Sequence, residues 1–139
     1  MTRIKICGLT RLEDVDAAVA AGADAIGLVF YPPSPRYVDL AQAAALARRV
    51  PPFVSVVGLF VNASPDEVRR TLAAVPLHVL QFHGDEDEAY CLQFDRPYLR
   101  AARMRPGFDL LQYAASFPSA QAILLDAFVD GYGGGGASF

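Results

Sequence analysis

Cysteine is scarce in this sequence, and neither a basic cluster nor a long apolar run is present. The two cysteines, Cys7 and Cys91, lie far apart without paired spacing, which excludes a disulfide scaffold and a thiolate zinc site and fits a reducing compartment. Twelve Lys and Arg against fifteen Asp and Glu leave a net charge of -3, so nucleic-acid binding is disfavoured. The sequence shows no signal peptide and no apolar span of about 18 residues, which predicts a cytoplasmic protein.

What is present is a regular alternation of strand-like and helix-like segments over 139 residues, of which 53% are hydrophobic. This length and content predict a single domain over residues 1–139. Apolar runs predict strands at Ile4–Cys7, Ala25–Phe30, Phe53–Val61, Val79–His83, Leu99–Arg103 and Ala122–Leu125. Helical periodicity between them predicts helices at Arg11–Ala21, Leu40–Val50, Pro65–Ala74, Glu86–Phe94 and Phe108–Phe117.

Residues typical of helix ends support these assignments. Thr10 with Glu13 and Ser64 with Glu67 match the capping box, in which a hydroxyl and a carboxylate satisfy free amides of the first turn. Gly22 follows the first helix at the position where a left-handed residue ends it.

The alternation predicts an α/β fold with a parallel sheet, either doubly wound or a barrel. The polar residues that follow the strands decide between them, because they lie at the carboxyl ends of all six: Cys7, Gly8, Arg36, Asn62, His83, Arg103 and Asp126. An open sheet concentrates its site at one switch point, whereas a barrel gathers residues from every strand around one mouth. The distribution favours a TIM-type barrel.

A complete (β/α)8 barrel needs about 200 residues or more. With six predicted strands in 139 residues, we expect about six βα units to be present, with strands seven and eight missing and the domain incomplete at its C-terminus. Such a sheet would have two open edges, through which copies of the chain could self-associate.

Cys7 and Asp126 are the candidates for proton transfer. Strand alternation places Cys7 on the same face as Lys5, whose charge favours a thiolate and hence a general base. An equally good interpretation is that Cys7 serves only as a small buried apolar residue. Asp126 ends an apolar strand, where low-dielectric walls suit a general acid. A turn-forming aspartate is the alternative for Asp126.

Three further polar side chains are candidates for binding. Arg36 follows a proline-rich segment that pre-organises its guanidinium for a carboxylate, although an arbitrary arginine in a loop is more often a solvated surface residue. Gln81 and His83 share the inward face of strand four. His78 has the opposite parity, which disfavours a two-histidine metal site.

Two stretches rich in one kind of residue are open to more than one interpretation. The acidic run 85–88 is better explained as negative charge at a helix N-terminus than as a set of metal ligands. The glycine run 133–136 either supplies backbone amides to a phosphate or forms a mobile loop.

Five motifs together resemble the phosphoribosylanthranilate isomerase family of tryptophan biosynthesis, along the whole chain. They are Lys5-Ile6-Cys7-Gly8-Leu9-Thr10, the segment from Gly22 to Phe30 that continues to Ser34-Pro35-Arg36, Gly58-Leu59-Phe60-Val61-Asn62, Leu80-Gln81-Phe82-His83-Gly84-Asp85-Glu86, and Leu124-Leu125-Asp126. The family has a (β/α)8 fold, and it carries out an Amadori rearrangement of N-(5-phosphoribosyl)anthranilate without metal or organic cofactor.

The resemblance implies a role for each matching residue. Asp126 would be the general acid and Cys7 the general base, and Arg36 would bind the anthranilate carboxylate. Gln81 and His83 would contact the substrate. The family's Gly-Gly-Thr-Gly stretch is Gly133-Gly134-Gly135-Gly136 here, which makes Gly134 and Gly136 further substrate contacts.

Two alternatives to the isomerase differ in what they predict. A non-catalytic partial barrel that serves as a binding or assembly module would bind without turnover. Sugar isomerases of the histidine pathway resemble this fold but have an aspartate at the position of Cys7, so Cys7 argues against them.

Overall fold

The computed structural model describes residues 1–132, which form one six-stranded parallel sheet with helices between successive strands. The strands are β1 (Lys5–Cys7), β2 (Ala25–Val29), β3 (Ser55–Phe60), β4 (Val79–Phe82), β5 (Tyr98–Met104) and β6 (Ala122–Ala127). The helices are α1 (Leu12–Ala20), α2 (Leu40–Arg49), α3 (Pro65–Ala74), α4 (Glu88–Leu92) and α5 (Leu110–Ala115). In this part of the chain no helix is long and apolar enough to cross a membrane.

The sheet order is the chain order, β1-β2-β3-β4-β5-β6, and every pair is parallel. This confirms the predicted alternation of strands and helices. Strand β6 extends past its predicted end at Leu125, because its pairing with β5 continues to Met104 opposite Ala127.

The outer face of the sheet packs against the helices and forms the main hydrophobic core. Successive side chains of a strand alternate between faces, so every second residue of β2, β3 and β4 enters this core. Phe60 and Phe82, both at most 1% exposed, are its largest fully buried side chains, and burying each one contributes about 1.5–3 kcal/mol. From the outside, α1 contributes Val15 and α3 contributes Val68, both fully buried.

The inner face carries the predicted site residues and a second, smaller apolar cluster. Val29, Leu59 and Val61 are buried in it, and Cys7, Tyr31 and Tyr132 pack against them. Tyr132 follows β6 and meets Tyr31, which follows β2, in an edge-to-face contact with ring centroids 6.2 Å apart. The chain that leaves β6 therefore reaches back across the inner face toward β1 and β2.

The two predicted capping boxes have different outcomes. At α3 the box is present: the Ser64 hydroxyl accepts from the Glu67 amide at 3.3 Å, and the Glu67 carboxylate accepts from the Ser64 amide at 2.7 Å. At α1 the prediction is wrong. The N-cap is Arg11, whose side chain caps no amide and instead binds the Asp14 carboxylate at 2.8 Å.

The end of α1 follows the prediction for Gly22. This residue has φ of 90°, a left-handed conformation that glycine adopts without strain. Its amide donates to the Val19 carbonyl, and the Ala23 amide donates to the Ala18 carbonyl, both at 3.0 Å. This pair of bonds is the Schellman arrangement, which satisfies carbonyls that the last helical turn leaves free.

The predicted start of α4 at Glu86 is wrong by two residues. The helix begins at Glu88, because the Asp87 carboxylate caps it by accepting from the Tyr90 amide at 2.8 Å. Glu86 lies before the helix and is 6% exposed. The acidic run therefore divides between a cap and a buried carboxylate.

Candidate active site

A buried chain of hydrogen bonds runs from β4 to β6 through three of the predicted site residues. The Gln81 amide nitrogen Nε2 lies 3.1 Å from His83 Nδ1, and His83 Nε2 lies 2.9 Å from Asp126 Oδ2. Gln81 and His83 are 2% and 4% exposed, whereas the Asp126 side chain is 18% exposed. Asp126 is thus the member of this chain that remains open to the space in front of the sheet.

The protonation of His83 follows from its surroundings. Burial lowers its pKa below the ordinary value, and the hydrogen bond and charge of Asp126 oppose this shift without reversing it. The ring is therefore neutral near pH 7. Nδ1 faces the Gln81 amide nitrogen, which only donates, and Nε2 faces Asp126 Oδ2, so this arrangement favours a ring proton on Nε2.

Cys7 lies at the end of β1 on the inner face, opposite Gly27 of β2. A Cβ atom at Gly27 would stand 2.6 Å from the Cys7 sulfur, so only glycine leaves room for the thiol there. The thiol is half-buried and packs against the inner-face cluster that also contacts Tyr132. Lys5 shares this face but lines a cavity of about 440 Å³ at the opposite, N-terminal end of the strands.

Arg36 lies over the end of β1. Its Nη1 donates to the Cys7 carbonyl at 3.0 Å, while its own backbone amide donates to the Ser34 hydroxyl at 3.1 Å. The guanidinium lies directly over Gly8, where a Cβ atom would come within 2.6 Å of Arg36 Cδ and where φ is 84°. Glycine at position 8 therefore leaves space for the Arg36 guanidinium and adopts the left-handed conformation that this turn requires.

The end of β4 is held by a buried arginine that the sequence did not single out. Arg100 of β5 is 3% exposed. Its Nη1 donates to the Phe82 carbonyl at 2.8 Å and its Nη2 to the Gly84 carbonyl at 2.6 Å. His83 is the residue between these two carbonyls, so Arg100 fixes the backbone on both sides of it.

The buried Glu86 carboxylate completes this arrangement. Its oxygens accept from the backbone amides of Gly84 and Asn62, each at 2.8 Å, and Oε1 lies 3.8 Å from Arg100 Nη1. A buried charge is costly unless it is paired and hydrogen-bonded. Here Glu86 and Arg100 pair with each other, and each also forms hydrogen bonds with the backbone. The pair joins the ends of β3, β4 and β5 beneath His83.

A third group of contacts holds the chain that follows β6. Arg103 of β5 donates to the Gly131 carbonyl at 3.3 Å and lies over the Tyr132 ring, 4.7 Å from its centroid. The Tyr132 hydroxyl donates to the Asp85 carboxylate, which lowers the pKa of that carboxyl group. Residues 131–132 are thereby tied to β5 and to the segment after β4.

The structure therefore brings Gln81, His83 and Asp126 together and places Cys7 beside Arg36. Cys7, Arg36, His83 and Asp126 lie at or just after the carboxyl ends of strands, as predicted, and Gln81 lies within β4. The remaining two predicted contacts, Gly134 and Gly136, lie outside the described residues.

Comparison with known proteins identifies the family. The model of the N-(5'-phosphoribosyl)anthranilate (PRA) isomerase family matches residues 4–139. The chain is 72% identical to the N-(5'-phosphoribosyl)anthranilate isomerase of Dechloromonas aromatica and 71% identical to that of Leptothrix cholodnii, in each case over 99% of this chain. It spans 66% and 63% of the lengths of these two relatives.

Solved structures agree with this assignment. The phosphoribosyl anthranilate isomerase of Thermotoga maritima superposes with a TM-score of 0.86 at 37% identity, over 99% of this chain and 67% of that one. The enzyme from Thermus thermophilus gives 0.88 at 36% identity over the same shares of the two chains. These matches confirm the predicted TIM-type fold and the resemblance found in the five motifs. The chain belongs to the N-(5'-phosphoribosyl)anthranilate isomerase family.

Proposed function

We propose that this chain carries the proton-transfer site of an isomerase that converts N-(5-phosphoribosyl)anthranilate to 1-(2-carboxyphenylamino)-1-deoxyribulose 5-phosphate in tryptophan biosynthesis. The main support is the placement of Cys7 and Asp126 on the inner face at the carboxyl ends of β1 and β6. A phosphoribosyl anthranilate isomerase that is 37% identical to this chain has been solved in complex with reduced 1-(o-carboxyphenylamino)-1-deoxyribulose 5-phosphate, an analogue of that product.

The proposed reaction needs one acid and one base. Asp126 donates a proton to the ribose ring oxygen, the bond from that oxygen to C1 breaks, and the anthranilate nitrogen becomes an iminium. Cys7, as the thiolate, removes the proton from C2, and the electrons of that bond neutralise the iminium and give an enolamine. Protonation at C1 and loss of the C2 hydroxyl proton give the ketone. Because the iminium accepts the electrons, no metal or organic cofactor is required.

Binding is assigned to the residues around this pair. Arg36 uses Nη1 to hold the Cys7 carbonyl, and its other N–H groups are proposed to bind the anthranilate carboxylate as a fork. The same side chain then positions both the substrate and the strand end that bears the base. His83 and Gln81 support Asp126, and Gly134 and Gly136 are proposed to contact the substrate.

The test uses this chain followed by the C-terminal third of the Dechloromonas aromatica relative, referred to here as the extended chain. Turnover is followed by the fluorescence of the anthranilate substrate. Positioned proton transfer contributes about 10²- to 10⁴-fold, so Cys7→Ala and Asp126→Asn should each lower kcat by at least that much. Arg36→Ala should mainly raise KM, because carboxylate binding is equal in the ground and transition states. It should lower kcat less than Cys7→Ala does, through loss of the Nη1 contact with the Cys7 carbonyl.

Cys91→Ala is the matched control for Cys7→Ala. Cys91 is buried in α4, away from the inner face, so this change is expected to lower stability while leaving kcat near the unmodified value. Normal turnover by Cys7→Ala or Asp126→Asn would remove that residue from its proposed role. No turnover by the unmodified extended chain would favour a non-catalytic binding module.

A further inference from the structure

Among the described residues, the Gln81 side chain forms its hydrogen bond with one neighbour, His83. Its side chain points inward from β4 and is 2% exposed, and its Nε2 donates to His83 Nδ1 at 3.1 Å. No residue within 1–132 donates to its other amide atom, Oε1, which is buried. In this part of the chain, the hydrogen bond of this side chain is therefore the one to His83.

That hydrogen bond determines where the histidine carries its proton. A neutral imidazole has one N–H and one acceptor nitrogen, and the choice between them is set by the partner of either nitrogen. With Gln81 donating to Nδ1, the proton is on Nε2, 2.9 Å from Asp126 Oδ2. His83 is 4% exposed, which leaves little access for water to compete with Gln81.

The tautomer in turn determines which Asp126 oxygen holds the acidic proton. A carboxyl oxygen that accepts from an N–H group is the one that carries no proton in the neutral acid, so the proton of Asp126 must be on Oδ1. In the opposite tautomer, Nε2 would present a lone pair at the same distance. It would then take the proton from Asp126 instead of leaving it for the substrate.

We propose that Gln81 is a positioning residue, which fixes His83 in the Nε2–H tautomer and so keeps the transferable proton of Asp126 on the oxygen away from His83. The proposal rests on the proposed function, because it assumes that Asp126 is the acid.

The surroundings of His83 leave this choice to Gln81. The His83 amide donates to the Phe60 carbonyl at 2.9 Å, and Arg100 holds the carbonyls on both sides of His83, so the backbone that carries the ring is fixed. The charged groups that face the ring are Asp126 on β6, Arg100 on β5 and Glu86 after β4. In the part of the chain that the structure describes, the hydrogen-bond partner of Nδ1 is Gln81, whereas Asp126 is the partner of Nε2.

The ring nitrogens of His83 can be observed directly by ¹⁵N NMR of the extended chain labelled at histidine. Signals that disappear in His83→Asn identify this residue. The unmodified protein should show an unprotonated Nδ1 and a protonated Nε2. A protonated Nδ1 would overturn the proposal without the need for any Gln81 variant, and it would do so whether or not the chain is an active isomerase.

Two substitutions of Gln81 then test the link to Asp126. Gln81→Leu removes the donor and should mix the two tautomers, with kcat at least about tenfold lower and KM within about twofold, because orientation and not binding is lost. Gln81→Glu supplies an acceptor, so Nδ1 should become protonated and the ring cationic, with a larger fall in kcat. An altered tautomer with unchanged kcat would refute the role toward Asp126.

Two controls separate positioning from a general loss of stability. Thr71→Val removes another buried hydrogen bond, from the Thr71 hydroxyl to the Glu67 carbonyl in α3, and should change stability while leaving kcat and the His83 signals unchanged. The signals of His78, whose Nδ1 accepts from the Val56 amide, should not move in either Gln81 variant. If the extended chain has no turnover, the proposed function fails, and the ring signals alone still decide whether Gln81 sets the tautomer.

Discussion

At the scale of single residues, the site depends on places where a side chain is absent. Gly27 leaves space for the Cys7 thiol, and Gly8 leaves space for the Arg36 guanidinium. Gly84 has a similar role, because a Cβ atom there would stand 2.7 Å from the Asn62 side-chain carbon Cγ. The geometry of the proposed base and of its neighbouring arginine is therefore set by the backbone beneath them.

Gly27→Ala should lower activity without unfolding the protein. The new methyl group would lie 2.6 Å from the Cys7 sulfur, so the thiol must move. A misplacement of about 1 Å can cost about 10²-fold in rate, and kcat of the extended chain should fall by that order. Gly58→Ala is the matched control: its methyl group meets Leu77 on the outer face, so it should lower stability and leave kcat nearly unchanged. Equal kcat losses in the two variants would contradict this prediction.

The buried histidine should make stability depend on pH in a defined window. Burial lowers the pKa of folded His83 below its ordinary value of 6.5. Between these two pKa values the unfolded chain binds a proton that the folded chain does not, so the free energy of unfolding should fall as pH decreases below about 6.5. Most carboxylates titrate below this window, at about pH 4.

Urea unfolding between roughly pH 7.5 and 5 measures this slope. His83→Asn should flatten the slope over the same range. An equally steep slope in that variant would assign the dependence to other groups.

At the scale of elements, the strands were predictable and the junctions were not. Runs of apolar residues between capped helices define all six strands. The start of α4 was mispredicted because Glu86, which would suit a helical first turn, is drawn inward by the Gly84 and Asn62 amides. Its partner Arg100 lies 14 positions away on β5. A local sequence pattern does not predict an ion pair between residues so far apart in the chain.

The same reasoning applies to the site. The positions of His83 and Asp126 at the carboxyl ends of their strands predicted that both face one space, because a barrel gathers these ends around one mouth. They did not predict the hydrogen bond between the two side chains, because that contact depends on the curvature of the sheet and on side-chain conformation. The Thr10 capping box failed for a related reason: the Arg11 side chain found a partner in Asp14.

Breaking the buried pair at the β4 junction should be costly. Arg100→Met leaves Glu86 as an unpaired buried charge and frees the Phe82 and Gly84 carbonyls, so the free energy of unfolding should fall by about 3–5 kcal/mol. Arg69→Met is the control, because Arg69 pairs with Asp66 on the exposed face of α3, where such pairs contribute about 0–1 kcal/mol. Urea unfolding of both variants gives the comparison. A loss below about 1 kcal/mol for Arg100→Met would show that the pair adds little.

At the scale of the whole molecule, the two strands that carry the proposed acid and base are also the two edges of the described sheet. Within residues 1–132, β1 pairs only with β2 and β6 only with β5. Their outward side chains Ile6 and Leu125 are 40% and 43% exposed, unlike the buried outward residues of β3. Such edges are open to pairing with another chain.

Continuing the chain should therefore affect β1 and β6 more than the middle of the sheet. We expect the amides of Lys5–Cys7 and Ala122–Ala127 to exchange hydrogen more slowly in the extended chain than in the 139-residue chain, relative to Ser55–Phe60 of β3 as the internal control. Light scattering should show association of the 139-residue chain and less of it in the extended chain. Unchanged exchange ratios together with two monodisperse samples would contradict this view of the edges.

The order of strands in the sheet also bears on how the chain assembles during synthesis. Each described strand pairs with the one that precedes it in sequence, so the loop to be closed never exceeds one helix and its connections, and closure entropy grows only slowly with loop length. A ribosome adds about 5–20 residues per second, far slower than hairpin- and helix-scale motions. When each strand from β2 to β6 leaves the ribosome, the strand that it pairs with has already been synthesised. The sheet can therefore grow in one direction, from β1 to β6.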